Sequence, residues 1–410
     1  MNGNRSDFHK QVKQAEQDSQ QLPVPDDEQL AVSEALKRRI IQEMNASGGM
    51  ISFEQFMQMA LYEPGLGYYA AGSRKFGEQG DFITSPEVSS LFSHCLANFC
   101  QQTLANIPAG HILEFGAGSG IMAADILSEL ERRQALPERY FILELSADCQ
   151  QRQQQTLQDK VPHLLERVEW LQQLPEQPIN GVVLANELLD AMPVQRFYID
   201  GTNIKQYCVS WAGEQQGFVT QTRPAPEYLQ AQVRHCQAYL GQEFAEGYES
   251  ELSLMHAQWL ESVQAIMGQA VFLLIDYGYG RPEYYHPQRS MGTLMCHYRH
   301  RAHPDPFKLV GLQDITSYVD FTTLAEAAVS NGMDVLGYTS QCGFLLDCGL
   351  QAMGPDSDSA TEQDLLRFSQ QVKTLTLPSE MGERFKVMAI GKQFQGAVPG
   401  FGLMDQLRHL

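Results

Sequence analysis

The sequence predicts an α/β fold built on a mostly parallel sheet, and three observations carry that expectation. The run from His111 to Gly120, His-Ile-Leu-Glu-Phe-Gly-Ala-Gly-Ser-Gly, reads as a buried strand that ends in a glycine turn and opens a helix. Short apolar segments then alternate with helical periodicity as far as Ala185. Gly181–Ala185 is apolar throughout, as a strand covered on both faces must be.

Composition bounds the class of protein. With 410 residues, 43% of them hydrophobic and 10% aromatic, the chain can bury a large core. No apolar run approaches the ~20 residues that span a bilayer. The net charge is −20 and Lys and Arg form no long stripe, which argues against a bare nucleic-acid or anionic-membrane surface. A basic protein or peptide partner suits the charge better, with solubility as the plain alternative. The 8 cysteines contain no C-x₂-C pair and no zinc-like spacing, and such scattered usage suits a reducing compartment. The N-terminus has no apolar signal core and is rich in Gln and Asp, unlike a transit peptide. A cytoplasmic, bacterial protein is therefore expected.

Taken in order, residues 1–28 are polar and end in Leu-Pro-Val-Pro-Asp-Asp, as in a tail or loosely docked arm. From Glu28 to Met44 the apolar residues Leu30, Ala31, Ile40, Ile41 and Met44 recur at helical spacing, and Gly48-Gly49 stops that helix. Ser52 is placed to cap a helix from Phe53 to Leu61, with Phe53, Phe56, Met57 and Ala60 on one face. Two turn-rich, aromatic segments follow, Tyr62–Tyr69 and Gly80–Val88, and then a helix from Val88 to about Leu104.

The central stretch predicts strands at Ile112–Phe115, Tyr140–Leu145, Arg167–Leu171 and Gly181–Ala185, with helices at Ile121–Arg133 and Ser146–Gln158. Residues 195–270 interrupt the alternation. Arg196–Ile199, Lys205–Trp211 and Gly217–Gln221 read as short strands, followed by two amphipathic helices between Tyr228 and Met267. This insertion is expected to be a substrate or interaction subdomain. Val271–Asp276 is the fifth core strand. An irregular loop bearing His286, His297, His300 and His303 comes next, then a helix at Thr322–Asn331 and strands at Met333–Tyr338 and Phe385–Lys392. The spacing of His297, His300 and His303 invites a metal reading. No acid or cysteine completes a ligand set, so no metal is expected.

The chemistry concentrates at the strand ends. Gly116, Gly118 and Gly120 permit positive φ and remove the Cβ atoms that would keep a ligand off the backbone. The helix that follows presents free N–H groups and positive potential. Such a turn holds a nucleotide-like ligand at the carboxyl end of a parallel strand, although it also occurs as a plain connector. Glu144 ends the second strand, further from the turn than the ~20 residues of a minimal dinucleotide fingerprint. The segment Asn186-Glu-Leu-Leu-Asp-Ala-Met-Pro-Val194 ends the fourth strand, where carboxylates and an amide face a ligand crevice. Its alternative reading is a helix start capped by Asn186.

Glu114, two residues before the first glycine, resembles the acid of motif I in class I S-adenosylmethionine-dependent methyltransferases. There the acid faces the cationic methionine part of the cofactor. The two turn-rich segments resemble the N-terminal signature of the MidA-like methyltransferase family, which includes a mitochondrial complex I assembly factor that methylates an arginine. The family run Asn-Glu-x-x-Asp-x-x-Pro is intact from Asn186 to Pro193. Gly292-Thr-Leu, His300 and Gln313–Phe321 are similar to the family as well, over roughly residues 45 to 393. Tyr318 departs from the histidine common there, which leaves His300 as the candidate base.

The resemblance implies a seven-stranded, Rossmann-like class I sheet formed by residues 105–194 and 271–393. It implies an N-terminal region, 29–104, over the cofactor site, the insertion at 195–270, and a C-terminal tail at 394–410. It assigns S-adenosyl-L-methionine as cofactor, bound by Thr84, Pro86, Glu87, Glu114, Gly116, Gly118, Gly120, Glu144, Ser146 and Asn186, with Glu144 accepting from the ribose hydroxyls. For an arginine acceptor, Glu187 and Asp190 would clamp the guanidinium, with Glu87 a third candidate, and His300 would take the proton. The alternatives are a methyltransferase for another acceptor and an assembly factor whose cofactor pocket is structural. Glu114 and the G-x-G-x-G spacing disfavour a nicotinamide oxidoreductase. A protein substrate is expected, and the oligomeric state stays open, a homodimer included.

Overall fold

A computed structural model of the protein describes residues 22–71, 84–355 and 360–410. The expected tail as far as residue 21, and Gly80–Ile83 of the turn-rich signature, lie outside the described residues. The chain forms two units, each assembled from three separate segments.

The second unit takes the described residues of 83–188 with Ala257–Gly280 and Val319–Leu410. Its sheet contains β1 (His111–Phe115), β2 (Tyr140–Leu143), β3 (Val168–Leu171), β4 (Ile179–Asn186), β5 (Met267–Tyr279), β6 (Asp334–Ser340) and β7 (Phe385–Lys392). They run in the spatial order β6-β7-β5-β4-β1-β2-β3. Strands β1 to β5 pair parallel, and β7 is antiparallel to both its neighbours. This is the expected seven-stranded class I arrangement. The two-residue strand Val319–Asp320 adds an eighth, parallel to the end of β5.

Alternate residues of these strands face opposite layers. Ile112, Val182, Leu184, Leu273 and Ile275 join one apolar cluster with α2 (Ser90–Leu104) and α3 (Ile121–Arg132). On the other face, the Phe115 and Phe272 rings lie 5.3 and 5.6 Å from Trp259 in the helix Met255–Ile266. Both layers are buried and apolar, so the apolar run of β4 belongs at the centre of the sheet, where the structure places it.

The first unit takes the described residues up to Ala71, Leu189–His256 and Arg281–Tyr318. Its antiparallel sheet orders Met50–Ser52, Asn203–Trp211, Gln195–Asp200 and Glu249–Leu252, and Phe218–Pro224 also pairs with Asn203–Trp211. The helices Asp27–Ala46 and Phe53–Tyr62 supply Leu36, Ile40, Phe56 and Met57 to its core. Ser52 caps the second of them by accepting from Gln55 N, as expected.

Several expectations need correction. The helix expected from Val88 starts at Ser90 as α2, and a separate short helix, α1 (Ser85–Val88), precedes it, because Ser89 is extended and its Oγ accepts from Leu91 N. Glu249–Leu252 is a strand within the stretch where only helices are expected. Its Glu-Ser-Glu-Leu is polar in composition, and only pairing with Gln195–Asp200 buries Ser250 and Glu251. The histidine-bearing segment is not an irregular loop: Met295–Tyr298, Arg301–His303 and Asp314–Thr316 form a three-stranded sheet. The region 29–104 is divided between the two units. The run 394–410 is docked rather than a tail, since Phe394 and Phe401 sit in the second unit's core and Gln406 N donates to Tyr338 O.

Candidate functional site

In the second unit, Gly116, Gly118 and Gly120 all adopt left-handed φ, at 63°, 54° and 82°. At Gly120 a Cβ would also lie 2.9 Å from the Cα of Gln153. Only glycine meets both demands without strain, which is why the turn between β1 and α3 has this composition. Ser119, inside the turn, donates from Oγ to Glu87 Oε1 at 2.5 Å. That bond ties α1 to the glycine turn. Pro86 is buried in α1, and Thr84 occupies the N-cap position without a side-chain capping bond.

Glu144, just beyond β2, has both carboxylate oxygens engaged. Oε1 accepts from Ser146 N at 2.9 Å and Oε2 from Gln153 Nε2 at 3.0 Å. Ser146 caps the helix α4 (Ala147–Lys160) by accepting from Cys149 N. At the end of β4, Asn186 Nδ2 donates to Glu187 Oε1 at 3.1 Å, and Ser85 N donates to the same oxygen at 3.3 Å. Asn186 is therefore no helix cap, and the run after it is a turn. Its Oδ1 is buried and has no hydrogen-bond partner among the described residues. Glu187 has a φ of 51°, uncommon outside glycine, and its N–H donates to Ile275 O at 2.9 Å. Asp276, 1% exposed, accepts from Leu188 N and so holds the chain leaving Glu187.

Glu114 is buried beside the turn. Its side chain is 1% exposed, on the face of β1 that meets the apolar cluster, and Tyr140 Oη donates to its Oε2 at 2.6 Å. Burial pushes this carboxyl up to about 7. The strand's period of two explains the placement, since Glu114 shares a face with the core residue Ile112. The carboxylate is held there by the Tyr140 hydroxyl.

Asp190 and His300 belong to the first unit. Asp190 is 6% exposed, and its carbonyl accepts from Ser317 N at 2.9 Å. Tyr62 and Tyr69 stack with ring centroids 5.4 Å apart, and Tyr69 Oη donates to Asp314 Oδ1 at 3.0 Å. Burial, with the charges of Asp314 and Asp190, pushes both phenols up. Asp190 thus lies among aromatic and acidic side chains. His300, with φ 61°, and Arg299, with φ 45°, form the two-residue turn between Met295–Tyr298 and Arg301–His303, and His300 is exposed. Burial pushes the neighbouring His297 down to about 4. Among the described residues, no group of three or more His, Cys, Asp or Glu is placed to hold a metal ion.

Ser85, Ser119, Gln153, Trp170 and Asp276 are site-supporting residues that the sequence does not reveal. Each belongs to a common residue type, and only the pairing of distant segments gives it a role. The residues of the glycine turn, Glu87, Glu144, Ser146, Asn186 and Glu187, are all brought into one unit.

Residues 95–339 match the family model described as "Putative S-adenosyl-L-methionine-dependent methyltransferase". The chain belongs to that family. It is similar to a protein from Burkholderia thailandensis, described as a "likely methyl transferase" and crystallised with S-adenosyl-homocysteine. The two are 40% identical with a TM-score of 0.89, over 95% of this chain and 100% of that one. The mitochondrial protein arginine methyltransferase NDUFAF7 of Mus musculus is 28% identical over 84% of this chain and 81% of its own length. The Homo sapiens protein of that name is 26% identical over 84% and 80%. The MidA-like resemblance is thereby confirmed. The protein is an S-adenosyl-L-methionine-dependent methyltransferase, and its residues fit that cofactor. A left-handed glycine turn, an acid at the end of β2 and the orphaned Asn186 Oδ1 at the end of β4 supply close backbone approach and acceptors for a cationic, hydroxyl-bearing ligand. No helix among the described residues is long and apolar enough to cross a membrane.

Proposed function

We propose that this methyltransferase modifies an arginine side chain of a protein partner, with residues placed as the family motif suggests. The supporting observation is Glu187: a carboxylate at the end of a central strand, on left-handed backbone, with one oxygen fixed by Ser85 N and the Asn186 amide. Strained backbone held by hydrogen bonds on several sides is typical of functional positions. The relatives named as protein arginine methyltransferases give the reading its acceptor.

When bound, the cofactor supplies a methyl group on a sulfonium, open to in-line attack. The protein's part is positioning and electrostatics. A guanidinium is protonated at ordinary pH and its nitrogen lone pairs are delocalised. In this reading Glu187 accepts from a nitrogen that does not react, draws positive charge toward itself and fixes the angle of the attacking one, with Asp190 as a second candidate carboxylate. Glu87 holds the glycine turn through Ser119, Glu144 accepts from ribose hydroxyls, and Asn186 Oδ1 accepts from the ammonium end. His300 is the candidate to receive the proton released by the attacking nitrogen. A net charge of −20 favours approach of a basic peptide segment.

The test is transfer of a labelled methyl group from S-adenosyl-L-methionine to lysate proteins of a deletion strain, followed by amino-acid analysis. Methylarginine is the expected product; label in another residue or in small molecules gives the acceptor class instead. Glu187→Gln should lower turnover about a hundredfold or more while cofactor affinity stays within about twofold. Equal loss of both would remove Glu187 from the acceptor site.

A further inference from the structure

Gln153 is fully buried at 0% exposure, on α4, and its side-chain amide makes three hydrogen bonds. Nε2 donates to Gly118 O at 3.2 Å and to Glu144 Oε2 at 3.0 Å. Oε1 accepts from Trp170 Nε1 at 3.0 Å, on β3. The backbone of Gln153 is also what a Cβ at Gly120 would strike. One side chain thus joins the middle of the glycine turn to the acid at the end of β2, and an indole N–H fixes which way round the amide lies. A buried amide with its acceptor oxygen taken by Trp170 can present only its N–H₂ group to Glu144. Glu144 therefore accepts from Gln153 on one side, and its remaining lone pairs are left for a ligand donor.

We propose that Gln153 is a positioning residue for the cofactor's ribose, acting through Glu144 and the Gly118 carbonyl. The proposal rests on the reading of Glu144 as the ribose acceptor. With Gln153 in place, the turn that carries the cofactor and the carboxylate that recognises its sugar keep a fixed separation. Without it, Glu144 retains only the Ser146 N–H and can rotate, and the Gly118 carbonyl loses its partner. The consequence is specific: discrimination for the ribose hydroxyls falls, whereas contacts to the rest of the ligand persist.

The test is calorimetric titration with S-adenosylhomocysteine and with its 2′-deoxy and 3′-deoxy counterparts, on the intact protein, Glu144→Gln and Gln153→Leu, each checked by thermal melting. The intact protein should prefer the ribose form by about tenfold to a hundredfold, the range for hydrogen bonds to a charged group. Glu144→Gln should remove most of that preference. If it keeps the preference, the reading of Glu144 fails, and the proposal with it. If Glu144→Gln loses the preference, Gln153→Leu decides the proposal itself. A fall of about tenfold in the ribose-to-deoxyribose ratio supports it. An unchanged ratio, or equal weakening of all three ligands as a merely structural role would produce, overturns it. Should Gln153→Leu fail to fold, Trp170→Phe keeps the apolar ring and removes only the bond that orients the amide. It should lower the ratio several-fold, and an unaltered ratio overturns the proposal.

Discussion

At the residue scale, the buried Glu114 has a consequence for stability with a definite sign. Its carboxyl rises from an ordinary 4.5 to about 7 in the folded protein. Between those values the folded state holds a proton that the unfolded chain has released. This group's contribution is therefore complete at low pH and is lost as pH rises through about 7, by about 3 kcal/mol in all. His256 acts in the opposite sense. Burial pushes it down to about 4, so its contribution is complete above pH 6.5 and is lost as pH falls through about 4. Comparison with Glu114→Gln isolates the first effect. Urea midpoints measured from pH 5 to 8 should fall less steeply with rising pH in the variant than in the parent, and parallel curves would show that Glu114 does not titrate in this window. Legibility at this scale follows from chemistry. Glycines in a turn and acids at strand ends announce themselves by type, but the direction in which Glu114 points depends on the neighbouring layer. The sequence shows that an acid precedes the turn, and the Tyr140 hydroxyl makes it a core residue.

At the scale of elements, two turns allow sharper tests. Gly120→Ala places a Cβ on left-handed backbone and 2.9 Å from Gln153 Cα, so it must shift either α3 or α4. A loss of about 1–3 kcal/mol in denaturant unfolding is expected, together with weaker cofactor binding. The hairpin at Arg299-His300 carries two non-glycine residues with positive φ, as a type I′ turn requires. His300→Gly relieves about 1 kcal/mol of that cost and should raise the melting temperature. Activity then separates the roles of His300: a stabilised but inactive variant makes it the proton acceptor, and a stabilised, active one makes it a turn residue. Long periodic helices and the strands of the parallel sheet are legible because their patterns are local. The strands Glu249–Leu252 and Arg301–His303 are not, because both carry charged residues; the first becomes a strand only by pairing with the distant Gln195–Asp200, and the second only by folding back on Met295–Tyr298. The histidines at a spacing of three illustrate the same limit. Their regularity invites a ligand reading, whereas His297 and His303 lie on paired strands one register step apart, with His303 buried and His300 exposed at the turn.

At the scale of the whole molecule, each unit is assembled from three separate segments, so no single cut releases either one. A fragment ending at Leu188 would contain β1 to β4 but lack β5 and the antiparallel β6 and β7. It would leave the apolar β4 as an open edge with its register partners Val271–Ile275 missing. We expect that fragment to aggregate or to show no cooperative unfolding by circular dichroism, and a soluble, cooperatively folding fragment would contradict this account of the sheet. The sequence by itself determined the α/β class, the order of the core strands along the chain, the glycine turn and the acids that end the strands. These depend on residue type and on periods of two and 3.6, which are properties of a short window. Only the tertiary structure decided that Gln153 joins Gly118 to Glu144, that Ser85 fixes Glu187, that Glu114 faces inward and that the C-terminal run is docked. Each of those is a contact between segments far apart in the chain, set by layer packing and hydrogen-bond satisfaction, and no local pattern encodes it.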